Sequence, residues 1–192
     1  MHRKFQQRSF WPLWTVLLGA LLVGSASANP FMIVSESEYP AMRELASDGR
    51  WRVMKTDAIN YMNNYSYNPT ASLSARVDRV SGLAGSGALA YILDPDNASY
   101  YVAKIKAALD GWEGIYNDRV VNDYTTYIYG GSAFMHSVLA LDVIRDELTT
   151  AELASIEYHM NNMAEFFYTT ARPNWPPNAA AAFGSWATYR GD

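Results

Sequence analysis

The chain of 192 residues contains no cysteine, which excludes disulfide bonds, thiol nucleophiles and cysteine-based metal sites. Histidine is scarce too, with three in all, and one of them is His2 at the N-terminus. The sequence also lacks a glycine-rich phosphate loop, a nucleophile elbow and an HExxH stretch. We therefore predict neither a cofactor nor a metal site.

Basic residues are in the minority, 15 against 19 acidic ones, and the formal net charge is −4. Nucleic acids bind to basic surfaces, so this balance argues against a nucleic-acid partner. It leaves an anionic sugar open as a ligand, because a few Arg, Lys and Asn side chains can serve one cleft. Aromatic residues are plentiful, at 14% of the chain, and favour either a helical core of large side chains or a sugar-binding cleft.

Only one long apolar run occurs, from Trp11 to Val23, and it is shorter than the roughly 20 residues that span a bilayer. Three basic residues precede it, and small residues follow up to Ala28, as at a signal-peptidase site. We predict a signal peptide over residues 1–28, cleaved after Ala28, and a periplasmic or secreted mature chain with no stable membrane span. That chain has 164 residues (192 less 28), and loss of the three basic residues moves its formal charge from −4 to −7.

Apolar residues recur at helical spacing through residues 29–192, and no segment shows a convincing strand pattern. Two capping boxes, Ser35 with Glu38 and Thr149 with Glu152, mark helix starts. The expected helices cover about 35–47, 51–65, 71–93, 94–112, 132–148, 149–171 and 178–189, with an irregular part over 114–131. Glycines 82, 85 and 87 weaken the third helix in isolation but permit close helix contact.

Short connections between these helices favour antiparallel neighbours, so we predict an all-α domain of helix pairs over residues 29–192. Three pairs leave the last helix unpaired. An unpaired helix with an apolar face predicts that the chain ends before its fold does, and that the mature protein self-associates through that face.

Four segments resemble heparinase II/III-type polysaccharide lyases and, more broadly, the incomplete α/α toroids of uronate-cleaving lyases. They are FMIVSESEYPAMRELA, LAYILDPDNASYYVAKIKAALDGW, ALDVIRDELTTAELASIEYHMNNMAEFF and NWPPNAAAAFGSWATYRGD, and together they cover nearly all of the mature chain. The resemblance implies an incomplete α/α toroid built from antiparallel helix hairpins. A full toroid of that kind has about a dozen helices, and the family's proton-transfer Tyr and His follow later. A truncated lyase, or a shortened relative of one, is therefore expected.

The activity that the resemblance implies is β-elimination on a uronate-containing, anionic polysaccharide. A base removes the proton next to the uronate carboxylate, and neutral or positive donors stabilise the developing enolate charge. In this family an Asn at the start of a helix binds that carboxylate, which points to Asn174, with Asn178 as its rival. Either residue could instead cap the last helix.

The resemblance and the loop positions suggest five substrate-binding residues, each with a structural alternative. Trp175 stacks on a sugar ring or plugs the helix wall, and Tyr127 and Tyr129 contact substrate or pack. His136 contacts substrate or makes a structural hydrogen bond. Arg172 meets the substrate carboxylate or the last carbonyls of the preceding helix.

Two other functions stay open. A glycoside hydrolase on the same kind of toroid, acting on uronides, needs two carboxylates across a cleft. Asp123 and Asp142 are the nearest candidates, although Asp142 shares its helix with Asp146 and Glu147, as on a solvated face. The third function is non-catalytic: a periplasmic helical module that binds a glycan or a partner.

Overall fold

The computed structural model describes residues 34–120, 125–170 and 176–191, and all secondary structure within these ranges is helical. The all-α prediction is thereby confirmed. Among the described residues, no helix combines the length and hydropathy needed to cross a bilayer. The predicted signal peptide lies outside these ranges, as do Asp123, Arg172, Asn174 and Trp175.

The described ranges contain eight α-helices. They are α1 (Tyr39–Leu45), α2 (Gly49–Asn64), α3 (Leu73–Leu93), α4 (Ala98–Asp110), α5 (Trp112–Asn117), α6 (Gly130–Ile144), α7 (Thr150–Thr170) and α8 (Pro176–Arg190). Short 3₁₀ turns lie before α1, before α4 and after α6, and a π-helical turn, Thr125–Tyr129, leads into α6.

Both predicted capping boxes are present. The carboxylate of Glu38 accepts a hydrogen bond from the Ser35 backbone N–H at 2.8 Å, at the 3₁₀ turn that leads into α1. Ahead of α7, the Glu152 carboxylate accepts from the Thr149 N–H at 3.0 Å, and the Thr149 hydroxyl accepts from the Glu152 N–H at 3.3 Å. These bonds satisfy backbone donors that a helix start leaves free.

The prediction of an irregular segment from 114 to 131 is wrong at both ends. Residues Trp112–Asn117 form α5, in which Trp112 and Ile115 are fully buried. The Trp112 indole N–H also donates to the Ser137 hydroxyl of α6 at 2.9 Å. Burial of two large side chains outweighs the helix penalty of roughly 1 kcal/mol for Gly114. At the other end, the π turn and the start of α6 take up residues 125–131.

Helices α3 and α6 lie side by side and run in the same direction. Ser132, near the start of α6, lines a groove with Ser74 near the start of α3. Val143, near the end of α6, lines a separate hollow with Ile92 near the end of α3. The two helices therefore begin at the same edge of the molecule.

Helix α8 continues this parallel layer on the other side of α6. Gly131 in the first turn of α6 lies against the backbone of Asn178 in the first turn of α8. Beyond the far end of α6, the Arg145 guanidinium lies 5.3 Å from the ring centre of Tyr189. Three helices, α3, α6 and α8, thus share one direction and one starting edge.

Helices α4 and α7 run in the opposite direction against this layer. In α4, Tyr101 lies near its start and donates to Asp94 at the end of α3, at 2.5 Å. In α7, Glu157 near the start accepts from Tyr189 near the end of α8, at 2.9 Å. The hairpin α3–α4 therefore agrees with a predicted antiparallel pair, whereas α7 packs against α8 and α5 rather than closely against α6, and α1 packs against α3 rather than α2.

The main core forms between these helices around the ring of Phe134. This side chain of α6 is fully buried and makes edge-to-face contacts with three other rings. The centroid distances are 5.3 Å to Trp112, 5.6 Å to Phe167 and 6.0 Å to Trp186. Since α5, α6, α7 and α8 each contribute one ring, this cluster joins four helices.

Two of the three glycines in α3 make the close helix contacts predicted for them. A Cβ atom at Gly82 would lie 1.9 Å from the Tyr61 hydroxyl of α2, and one at Gly87 would lie 2.5 Å from Ile105 of α4. At Gly85 the nearest atom would be at 3.6 Å, an ordinary contact. Gly82 and Gly87 therefore allow α2 and α4 to approach α3.

The prediction of an unpaired last helix is wrong. Helix α8 packs against both α6 and α7, and its Ala182, Trp186 and Tyr189 are buried there. At the edge of this buried stripe, Phe183 is 37% exposed and stacks on Tyr168 of α7. The apolar stripe is covered because α8 lies in the angle between two earlier helices. Self-association through an uncovered stripe on this helix therefore loses its basis.

Candidate functional site

A groove of about 460 Å³ opens at the edge where α3 and α6 begin. Serine hydroxyls dominate its lining, and Asp78 is the one charged side chain among the lining residues. The lining consists of Ser72, Ser74, Ala75, Val77, Asp78 and Ser81 from α3 and its cap, with Tyr129 and Ser132 at the start of α6. The groove thus offers many hydrogen-bonding hydroxyls and an aromatic ring.

Tyr129 occupies the rim of this groove and is 56% exposed. Tyr129 is the last residue of the π-helical turn and directly precedes the first residue of α6. An exposed ring beside hydroxyls is suited to the apolar face of a pyranose. Tyr127 belongs to the same π turn, and its side chain is outside the described part of the chain.

His136 is attached to the groove by a hydrogen bond to Ser81. Its Nδ1 atom and the Ser81 Oγ atom are 2.9 Å apart, and either can donate, depending on the histidine tautomer. The imidazole is exposed and lies beside Gly85 of α3. The hydrogen bond expected of a structural histidine is therefore present, and it also holds the ring next to a residue of the groove lining.

Asn178 is brought to the same edge by the contact between α6 and α8. A Cβ atom at Gly131 would lie 3.0 Å from the Asn178 carbonyl oxygen, and Gly131 directly precedes Ser132 of the groove. Because α8 begins at Pro176, Asn178 is the third residue of the helix and does not occupy the N-cap position. The capping alternative for Asn178 is therefore not supported.

The electrostatics of this edge are mixed. The starts of α3, α6 and α8 meet there, and each helix start carries a partial positive charge that favours anions. Asp78 adds a negative charge within the groove itself. An anionic group of a ligand is therefore expected away from Asp78, and hydroxyl groups are expected close to it.

Asp142, a candidate acid of the hydrolase alternative, lies elsewhere. It lines a smaller hollow of about 180 Å³ between the C-terminal halves of α3 and α6, among apolar residues that include Leu89, Ile92 and Val143. This position separates Asp142 from the groove that contains Tyr129. The other candidate, Asp123, is outside the described residues.

A further hollow of about 450 Å³ lies between α4, α5 and the segment before α3. Its cation, Arg76, is 2.5 Å from Asp118, and the Tyr67 hydroxyl donates to the Gly111 carbonyl at 3.3 Å. Arg76 Nη2 and the Tyr67 hydroxyl are bonded within the protein, and the Arg76–Asp118 pair joins α3 to the residue after α5, while the buried Arg76 Nε atom has no hydrogen-bond partner. The groove at the helix starts is the better candidate for a ligand.

Sequence reasoning selected Tyr129, His136 and Asn178 but missed Ser81 and Asp78. Polar residues on one side of the otherwise apolar α3 were the available signal. That signal could not show which helix the polar side of α3 faces.

Among the described residues, no group of three acidic or histidine side chains could hold a metal ion.

Comparisons with models of protein families, with curated proteins and with solved structures find no match. Function is therefore inferred from the residues and geometry of the groove.

Proposed function

We propose that this chain is a polysaccharide lyase, or the substrate-binding part of one, that cleaves uronate-containing polysaccharides by β-elimination. One observation carries the proposal: Tyr129 lines a hydroxyl-rich groove where three parallel helices begin. His136 is hydrogen-bonded to Ser81 of the groove lining, and Asn178 lies against Gly131, the residue before Ser132 of that lining. A phenol, an imidazole and an amide are the groups that this elimination uses.

The arrangement of the helices supports the toroid part of the proposal. In an α/α toroid, successive hairpins place their inner helices side by side in one direction, with the outer helices reversed. Helices α3, α6 and α8 have the first relation, and α4 and α7 have the second. The described chain is then two hairpins and the first helix of a third, preceded by α1 and α2.

The groove lining supports a sugar as the ligand. Hydroxyl groups of Ser72, Ser74, Ser81 and Ser132 can each donate and accept, which matches the hydroxyls of a pyranose. The exposed ring of Tyr129 provides the apolar surface on which a sugar face stacks. A volume of about 460 Å³ is within the usual range for small-ligand sites.

The proposed reaction breaks the bond between the glycosidic oxygen and the carbon two positions from the carboxylate. A base takes the proton from the carbon between them, and the electrons of that C–H bond form the new carbon–carbon double bond. The glycosidic oxygen leaves with the electrons of its bond to carbon and is protonated. The amide of Asn174 or Asn178 donates to the carboxylate as enolate charge develops. His136 or Tyr129 is the proton-transfer group that the groove offers.

The test is ultraviolet absorbance of the mature protein incubated with alginate, glycosaminoglycans and ulvan. A lyase produces a conjugated double bond and a rising signal on one of these polymers. Asn174→Ala or Asn178→Ala is expected to lower the rate by about 100-fold through loss of the enolate donor. Asn162→Ala on α7 is the control and should leave the rate unchanged.

Two outcomes would replace the proposal. New reducing ends without absorbance would indicate a hydrolase. Binding that Tyr129→Ala weakens, with no product of either kind, would indicate the non-catalytic glycan-binding module. That second candidate is favoured by the same groove, because hydroxyls and an exposed ring explain binding without any reaction.

A further inference from the structure

A cation and two aromatic rings form a second polar surface beside the groove, at the end of α2. The guanidinium carbon of Arg79 lies 4.0 Å from the ring centre of Tyr65, and Arg79 Nη1 donates to the Tyr61 hydroxyl at 3.3 Å. The two tyrosine rings are 4.6 Å apart, and Tyr65 is 43% exposed. We call this cluster of Tyr61, Tyr65 and Arg79 the arginine platform.

The guanidinium of the platform keeps donors available. Within the described residues, Arg79 forms no ion pair, and its Nε and Nη2 atoms make no hydrogen bond. Neither atom is among the buried unpartnered ones, so both are open to solvent. An arginine held flat by a ring, with one edge open, is preorganised for a bidentate bond to a carboxylate.

A lysine strengthens the positive charge of this surface. Lys104 of α4 donates to the backbone carbonyls of Met62 and, at 2.9 Å, of Tyr65 at the end of α2. Its ammonium also lies 4.9 Å from the ring centre of Tyr100. Lys104 therefore fixes the backbone that carries Tyr65 and adds a second cation near the platform. The acidic residue Asp78 directly precedes Arg79 in the chain.

The platform and the groove are neighbours on α3. Ala75 lines the groove, and Arg79 is four residues later, one turn along the same face of the helix. The end of α2 meets the early part of α3, which puts Tyr65 near the edge where the groove opens. Ala75 of the groove lining and Arg79 are therefore separated by one helix turn.

We infer that the arginine platform is an acidic-sugar subsite, in which Arg79 binds the carboxylate of a uronate residue whose neighbouring sugar occupies the groove. The inference builds on the proposed polysaccharide ligand and adds the position of the charged residue. It also gives an anionic polymer a cation beside a groove that contains Asp78, the residue directly before Arg79. Tyr65 supplies ring surface for the sugar, and Tyr61 holds the guanidinium in place.

The experiment is calorimetric titration of the mature protein with a uronic-acid tetrasaccharide, its carboxyl-reduced counterpart and a sulfated neutral tetrasaccharide. The unmodified protein should bind the uronic-acid form more tightly than the reduced form. Arg79→Gln should weaken binding of the uronic-acid form by about tenfold and leave the reduced form unchanged. Arg79→Lys should be intermediate, because it keeps the charge but loses the planar contact with Tyr65.

Arg52→Gln, at an exposed arginine of α2, is the matched control and should have no effect on either affinity. Circular dichroism of each variant confirms that it is folded. Suppose that Arg79→Gln binds the uronic-acid form as tightly as the unmodified protein does, while Tyr129→Ala weakens binding of both forms. The acidic-sugar subsite at Arg79 would then be refuted, and the groove would remain the sugar-binding site. Arg79-dependent binding of the sulfated form alone would overturn the carboxylate assignment. Absence of binding to all three ligands would overturn the groove as well.

Discussion

At the scale of single residues, two glycines in helices differ in what surrounds them. Gly87 of α3 is buried, and a Cβ atom there would lie 2.5 Å from Ile105 and 3.1 Å from Met62. Gly184 of α8 has nothing within 4 Å of its Cβ position. The helix preference for alanine over glycine is the same at both sites, so only the packing distinguishes them.

Gly87→Ala is therefore expected to lower the free energy of unfolding by about 1–3 kcal/mol, because overpacking exceeds the gain in helix propensity. Gly184→Ala is expected to raise it by up to about 1 kcal/mol. Urea unfolding followed by circular dichroism measures both. Equal stabilisation by the two substitutions would show that α3 and α4 are not in close contact.

At the scale of elements, the informative case is the attachment of α8. Trp186 is buried between α6 and α7, and its indole N–H donates to Asn161 of α7 at 3.3 Å. Phe183, one turn earlier on the same side of the helix, is 37% exposed and stacks on Tyr168. The two aromatic residues thus report on the centre and on the edge of the packed face of one helix.

Trp186→Ala is expected to cost about 3–5 kcal/mol, the usual penalty for deleting a buried aromatic side chain. Phe183→Ala should cost less than about 1 kcal/mol, because its ring remains accessible to water in the folded protein. Unfolding midpoints in urea compare the two. Similar small losses for both would contradict the docking of α8 and revive the prediction of an unpaired last helix.

At the scale of the whole molecule, three tyrosines connect its separate parts through hydrogen bonds to carboxylates. Tyr91 donates to Glu147, Tyr101 to Asp94 and Tyr189 to Glu157, at 2.9, 2.5 and 2.9 Å. Burial raises the pKa of each phenol above its ordinary value of 10.0, and the neighbouring carboxylate raises it further. In the unfolded chain the same phenols ionise near 10.

A group whose pKa is higher in the folded state contributes stability that is complete below the unfolded pKa and is lost as the pH rises through the folded pKa. The free energy of unfolding should therefore fall as the pH rises above about 10. Tyr189→Phe should make this fall less steep, whereas Tyr158→Phe, at a side chain 65% exposed, should not change it. Urea unfolding at a series of alkaline pH values measures the slope. An identical slope in both variants would contradict the role of the buried phenol.

Much of the local structure could be predicted because it depends on neighbours in the chain. Capping boxes join residues three apart, and the stripes on α6 and α7 recur every three or four residues. The start of α3 was predicted to within two residues. Helix α5 was missed because its stability comes from the burial of Trp112 and Ile115, which the local sequence does not reveal.

The groove could be predicted only in part. Tyr129 stood out as an aromatic residue in a predicted loop, and His136 as one of three histidines. The hydrogen bond between His136 and Ser81, however, joins positions 55 residues apart along the chain. The contact between Gly131 and Asn178 is likewise long-range. The arginine platform depends on the contact between Tyr65, directly after α2, and Arg79 of α3. No sequence motif links these two residues.

The sequence by itself determined that this protein is helical, where most of its helices begin and end, and that it needs no disulfide. Those properties follow from propensity, capping and the spacing of apolar residues, all of which act over a few positions. Tertiary structure alone decided that α3, α6 and α8 share a starting edge, that α8 is covered, and that Arg79 packs on the ring of Tyr65. These relations depend on which apolar faces pack together, and many pairings of similar helices satisfy the same sequence pattern until the side chains are fitted in three dimensions.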